Sequence, residues 1–244
     1  MLPLQVELIP VLEDNYAYLL RDQATGAIAI VDPPVVEPVM QRVAAHGGKL
    51  DAILLTHHHG DHIAGAPELV QRTGAIVTGP AADAHRIPSM DRGVREGDRI
   101  EVGSCAARVI ETPGHTTGHV SFLFEQAKVL FCGDTLFALG CGRVLEGDMA
   151  TMWRSLQKLA ALPGETVCYC GHEYTASNAR FALHADPANA ALRARADRVA
   201  RARAAGEPTI PFTIAEELAT NPFLRAGSAE RFEELRRGKD KFRG

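Results

Sequence analysis

Thr56-His57-His58-His59-Gly60-Asp61-His62 follows the apolar run Ala52-Ile53-Leu54-Leu55. The reading of this junction decides the fold. The run has the length and composition of a buried strand. His57 and His59 are two residues apart, so an extended backbone aims both imidazoles to one side. Gly60 then lets the chain bend, and Asp61 and His62 bring a second pair of donors nearby. Four of the ten histidines fall within six residues here, with a carboxylate among them, at a strand's end. Any single histidine reads best as a hydrogen-bonded surface or core residue, but this density reads as a metal site. Imidazole and carboxylate suit zinc, iron or manganese.

Outward from that centre, 244 residues with 46% hydrophobic and 23% charged side chains describe an ordinary globular protein. No apolar run reaches the length of a membrane span, and the first residues lack a basic stretch followed by an apolar one. The five cysteines, 105, 132, 141, 168 and 170, are odd in number and lie in strand-like segments. Reduced thiols and a cytoplasmic location are therefore expected. Residues 1–172 carry 13 basic and 20 acidic side chains, whereas residues 173–244 carry 13 and 10. The acidic excess coincides with the candidate ligands, and bound cations would offset it.

Short apolar or alternating runs over 6–12, 16–21 and 27–31 read as strands, followed by a helix over 36–46. A helix from His62 to Arg72 is expected after the histidine cluster. A strand over 75–78, a hairpin over 98–112, and strands over 119–124 and 128–132 come next. Asp148 reads as the N-cap of a helix reaching Leu162, and 166–170 as the last strand. Beyond it only helices are expected, over 174–185, 188–205, 213–220 and 228–237. Interleaved strands and helices followed by helices alone imply an αβ sandwich, residues 1–172, and an appended helical domain, residues 173–244. The arginines between Arg193 and Arg203 are spaced like a solvated helix face.

Three later loops repeat the pattern of a metal-capable side chain beside glycine at the end of an apolar run. They are Gly114-His115, Gly133-Asp134 and Gly171-His172. Such positions gather where loops build sites on a rigid scaffold.

The motif Thr-His-x-His-x-Asp-His, with these loops in this order, resembles the metallo-β-lactamase superfamily, whose fold is a four-layer αββα sandwich. Several further stretches are similar to the hydroxyacylglutathione hydrolase (glyoxalase II) family within it: Gly133-Asp134-Thr135-Leu136-Phe137, Gly140-Cys141-Gly142-Arg143, Gly171-His172-Glu173-Tyr174-Thr175 and Asn221-Pro222-Phe223-Leu224-Arg225. The resemblance spans nearly the whole chain. It implies that His57, His59 and His115 hold one divalent ion, that Asp61, His62 and His172 hold a second, and that Asp134 bridges them. Zinc is the first expectation, with iron or manganese accommodated. Asp32 is implied as a buried acid that braces the ligand loop, and His119 as a supporting residue. His58 is expected to face away from the ligands.

The reaction implied is hydrolysis of S-D-lactoylglutathione, or another S-2-hydroxyacylglutathione, to glutathione and the 2-hydroxy acid. A hydroxide shared between the two ions is the implied nucleophile, and the step is the second of methylglyoxal detoxification. Asp61 and Asp134 carry the catalytic roles. Glutathione has two carboxylates, and Arg143, Tyr174, Arg236 and Lys239 are the implied contacts. Two departures stand out: Arg143 replaces a frequent lysine, and Leu145 stands where a tyrosine often touches the ligand. The remaining expectations are a monomer with a small-molecule substrate and neither a nucleic acid nor a membrane as partner. A glutathione persulfide dioxygenase with one iron is the nearest rival reading, and an RNA-processing metallo-nuclease, prompted by the arginine-rich helix, is the second. No Gly-x-Ser-x-Gly is present to support a serine hydrolase.

Overall fold

A computed structural model describes residues 3–244. The chain divides into two compact units, Met1–Glu111 with Thr117–Gly133 and Thr112–Thr116 with Asp134–Gly244.

The first unit contains β1 (Leu4–Val11), β2 (Asn15–Asp22), β3 (Ile28–Val31), α1 (Glu37–Ala45), β4 (Ala52–Leu54), α2 (Gly60–Ile63), α3 (Ala66–Thr73), β5 (Ile76–Pro80), β6 (Arg92–Val94), β7 (Arg99–Val102), β8 (Cys105–Glu111), β9 (Val120–Phe124) and β10 (Val129–Gly133). Strands β1 to β6 lie side by side in chain order. The first two junctions are antiparallel and the next three parallel. Parallel neighbours need a crossover, which α1 and α3 supply. These helices seat Val39, Val43 and Leu69 against Ile30, Ile53 and Val77 of the sheet. Strands β7 to β10 form an antiparallel meander. Tyr18 of β2 meets Phe131 of β10 with ring centroids 5.5 Å apart, so the two sets of strands share an apolar interior.

A buried carboxylate ties the sheets together at one corner. Asp22 closes β2 and accepts hydrogen bonds from Ala24 N, Thr25 Oγ1, Ser104 N and Ser104 Oγ. The Ser104 backbone N–H leads the contacts that hold its carboxyl well below the usual range. Every partner is a donor, so an asparagine could not turn its NH2 anywhere without facing one. Asp22→Asn is therefore expected to lower Tm by several degrees at neutral pH. A lowered folded-state pKa stabilises above the unfolded value of about 4 and is lost as pH falls below it. The Tm gap between the two proteins should accordingly shrink in acid. A gap unchanged down to pH 3 would show that the charge is not what matters.

The second unit contains β11 (Leu136–Phe137), β12 (Gly140–Cys141), α4 (Met149–Ala160), β13 (Val167–Cys170), α5 (Thr175–Ala185), α6 (Ala190–Ala204), β14 (Phe212–Thr213), α7 (Ile214–Thr220) and α8 (Ala229–Lys241). Asp148, Asn189, Thr213 and Ser228 each accept a backbone N–H in the first turn of the helix that follows. Trp153, Phe223 and Phe232 pack together between the helices.

The mixed α/β fold with a helical C-terminal region is the one expected from the sequence, with three local corrections. The single helix foreseen over 62–72 is two, α2 and α3. At the break, a Cβ on Gly65 would press on the Pro33 carbonyl oxygen, and Pro67 opens α3. Strand structure does not end at residue 170, because β14 pairs with β13. The two-residue strands β11 and β12, paired as a hairpin, are too short for a periodicity to reveal. Among the described residues, no helix is long and apolar enough to cross a membrane.

Candidate metal centre

In the first unit the ligand loop leaves β4 and enters α2, and Asp32 organises it. Asp32 sits at φ 48° just after β3, a left-handed conformation that aspartate tolerates better than most residues. Its Oδ1 accepts Thr56 N at 2.8 Å, and its Oδ2 accepts Thr56 Oγ1 at 2.6 Å and lies 3.1 Å from His62 Nδ1. Since Oδ2 is an acceptor, His62 carries its proton on Nδ1 and offers Nε2 as a lone pair. The same logic sets His57. The Thr56 hydroxyl donates to Asp32, so it accepts from His57 Nδ1, 3.0 Å away, which leaves a lone pair on Nε2.

His57 Nε2 stands 3.1 Å from His59 Nδ1. Two nitrogen lone pairs at that distance repel unless a proton or a cation lies between them. His57 is fully buried and stacks on His119 at 4.9 Å. Gly133 backs this pair at φ 45°, where a Cβ would collide with Thr56 Oγ1 and His119 Nε2. Asp61 Oδ2 is 3.7 Å from His62 Nε2. Asn15 orients Asp61 by donating from Nδ2 to both its Oδ2 and its backbone O, each at 3.1 Å. Asn15 lies between the runs over 6–12 and 16–21 that read as strands, and only the contact reveals its role. His58 turns to Asp83, 3.0 Å away, in keeping with the expectation that it faces away.

In the second unit, His115 Nδ1 donates to the Arg143 carbonyl at 2.8 Å, again leaving the lone pair on Nε2. Asp134 Oδ2 lies 3.4 Å from His115 Nε2 and 3.3 Å from His172 Nε2. One carboxylate oxygen thus stands between two imidazole donors. The His172 ring is stacked on Tyr174 at 4.6 Å, nearly parallel to it, with Phe137 edge-on at 6.0 Å.

The donor sets of both units fit divalent ions. Bonds of about 2.0–2.1 Å in tetrahedral geometry put neighbouring donors roughly 3.3 Å apart, the spacing seen within each unit. Thiolates do not compete. All five cysteines are buried thiols outside any disulfide, and burial pushes the thiols of Cys141, Cys168 and Cys170 up.

The four residues expected to meet glutathione all lie in the second unit. Arg143 is exposed, and Tyr174 is 37% exposed above His172. Lys239 Nζ donates to Ser177 O at 3.0 Å and to Ser177 Oγ at 2.9 Å. Burial, with repulsion from Arg236 and Arg180, pulls its ammonium down to about 8. Arg236 is buried, donating to Cys141 O at 2.8 Å and to Asp240 at 3.0 Å. Leu145 is 53% exposed.

Residues 12–172 match the metallo-beta-lactamase superfamily, and residues 173–242 match the hydroxyacylglutathione hydrolase C-terminus. A hydroxyacylglutathione hydrolase of Methylococcus capsulatus is 52% identical, covering 99% of this chain and 100% of that protein. One of Acidiphilium cryptum is 57% identical, covering 96% of this chain and 95% of that protein. Among solved structures, ETHE1 from Myxococcus xanthus superposes with a TM-score of 0.75 at 29% identity, covering 98% of this chain and 92% of that one. TTHA1623, solved in a di-iron-bound form, gives a TM-score of 0.62 at 25% identity, covering 90% of this chain and 99% of that one.

Proposed function

The chain belongs to the metallo-β-lactamase superfamily and, within it, to the hydroxyacylglutathione hydrolases, and from that premise we propose that it cleaves S-2-hydroxyacylglutathione thioesters, S-D-lactoylglutathione among them, at a pair of divalent ions. His57, His59 and His115 would hold one ion and Asp61, His62 and His172 the other, with Asp134 as the ligand shared between them. Zinc comes first, and iron or manganese suits the same histidine and carboxylate donors. A di-iron form of a similar protein supports the count of two. The observation that carries the reading is Asp134 Oδ2, within 3.4 Å of one imidazole Nε2 and 3.3 Å of another.

When bound, such a pair of ions lowers the pKa of a water toward neutrality and polarises the thioester carbonyl. Asp61, whose Oδ2 accepts from Asn15 Nδ2, would help orient the attacking water's proton. The departing thiolate is a weak base, so no protein acid is needed to release it.

Residues 173–244, together with Arg143, supply the glutathione contacts. Tyr174 would bring a hydroxyl and a ring to the peptide, and Arg236 and Lys239 positive charge to the glycine carboxylate. Leu145 offers no hydrogen bond there. Action as a monomer in the cytoplasm, without nucleic acid or membrane, belongs to the same proposal, and five thiols outside any disulfide support the compartment. Thioester cleavage followed spectrophotometrically, with metal analysis of the same sample, tests the reading. A metal-loaded protein that leaves S-D-lactoylglutathione intact would refute it.

Lys239 provides a pH test. Its charge is present below about 8 and lost above it, so KM should rise as pH passes upward through that value. Lys239→Ala should raise KM by about tenfold at pH 7, the worth of one charge-assisted hydrogen bond, with kcat little changed. The variant should also lose the rise above pH 8. An unchanged KM at both pH values would remove Lys239 from the substrate site.

A further inference from the structure

The hairpin β11–β12 connects one of the second unit's candidate ligands to the backbone support of another. Asp134 lies just before it, and Arg143, whose carbonyl fixes the His115 tautomer, lies just after it. The strands close where Gly142 N donates to Thr135 O at 3.2 Å. There a Cβ on Gly142 would fall on the Asp134 carbonyl oxygen. Any shift of the hairpin therefore moves Asp134 and His115 together.

Side chains from the helices hold the hairpin by its backbone. Asn178 of α5 donates to Ala138 O at 3.1 Å. Asn221, the C-cap of α7, donates to Gly140 O at 2.9 Å. Glu217 of α7 accepts Leu139 N at 2.9 Å and Asn221 Nδ2 at 2.8 Å with one oxygen, and ion-pairs with Arg195 of α6 through the other. Arg236 of α8 reaches Cys141 O. Leu139 is itself at φ 58° and fully buried among Ala179, Ala182 and Leu192. Glu217 is 0% exposed, a burial tolerated only because its partners are all donors.

A tail serving only to bind glutathione has no need to grip successive backbone groups of a loop that carries a metal ligand. We propose that the helices of the second unit template this hairpin, with Glu217 as the central positioning residue that sets Asp134 and His115 for metal binding. The proposal rests on the metal reading above, and it assigns Glu217 no contact with substrate or ion.

Glu217→Gln tests it. An amide cannot accept from Arg195 and Leu139 N on its two sides at once. Arg195, the stronger donor, takes the oxygen, and the NH2 then faces Leu139 and frees the hairpin. The full-length zinc-loaded protein, titrated with a chelator well below its Tm, should give up half its metal at about tenfold lower chelator, in the range that supporting residues show. The kcat should fall in parallel. Asn178→Ala leaves the ion pair intact and should shift the same midpoint by about threefold. It decides the matter if Glu217→Gln does not fold. Asp22→Asn serves as the stability control, with lowered Tm and an unmoved midpoint. A wild-type midpoint and kcat in Asn178→Ala overturns the proposal, as does an equal shift in Asp22→Asn. If the midpoints shift as expected while the wild type cleaves no glutathione thioester, the substrate reading fails and the hairpin's role stands.

Discussion

Asp134→Ala is expected to retain less than half of the bound metal and to lose at least about a thousandfold in kcat/KM, roughly 4 kcal/mol of transition-state stabilisation. The size of the effect follows from charge as well as geometry. The proposed set of seven ligands contains five neutral imidazoles and only two carboxylates, Asp61 and Asp134, to balance two divalent ions. Asp134 Oδ2 is the atom within 3.4 Å of both His115 Nε2 and His172 Nε2, so no neighbouring side chain can replace it by a rotamer change. Asp134→Asn keeps the shape and removes the charge, and should fall between the two proteins in metal content. Metal analysis and thioester turnover on the same preparations decide the point. Full metal content with normal turnover in the alanine variant would end the bridging assignment.

Asp32→Asn should weaken metal binding by about 10–100-fold while leaving the fold intact. Asparagine also tolerates the left-handed backbone at this position. Its Oδ1 can still accept Thr56 N, but its NH2 then faces Thr56 Oγ1 and His62 Nδ1, where the native Oδ2 accepts and contacts. A donor opposite Nδ1 makes that nitrogen the acceptor and moves the imidazole proton to Nε2, the atom needed for the metal. The variant is thus expected to fail through a wrong tautomer. Chelator titration measures the affinity, and nitrogen-15 chemical shifts of the apo-protein report the tautomer. A wild-type affinity, or a His62 that keeps Nδ1–H, would contradict the assignment.

The same two residues show how far the sequence reaches. Asp134 was legible because a metal-capable side chain beside glycine, after an apolar strand, recurs three times in this chain, and recurrence makes chance a poor account. Asp32 was legible through the superfamily resemblance. The spacing of His57 and His59 and the bend at Gly60 are local, and local geometry is what residue order encodes directly. The N-cap at Asp148 was read correctly for the same reason, since its partner, Thr151, is three residues away. The failures are non-local. Asn15 reaches Asp61 across 46 residues and Glu217 reaches Leu139 across 78, and no periodicity marks either pair. The break between α2 and α3 likewise involves Pro33, whose carbonyl accepts Gly65 N at 3.1 Å and leaves no room for a Cβ there.

By itself, then, the sequence determined the kind of chemistry, because ligand type and spacing follow from short-range backbone geometry, and the family, because its motifs are contiguous. The tertiary structure alone decided which nitrogen of His57, His62 and His115 carries the lone pair and what steadies Asp61. It also decided what holds the hairpin beside Asp134. These are properties of hydrogen bonds between groups distant in the chain, and such bonds exist only once the folded backbone has brought donor and acceptor within about 3 Å.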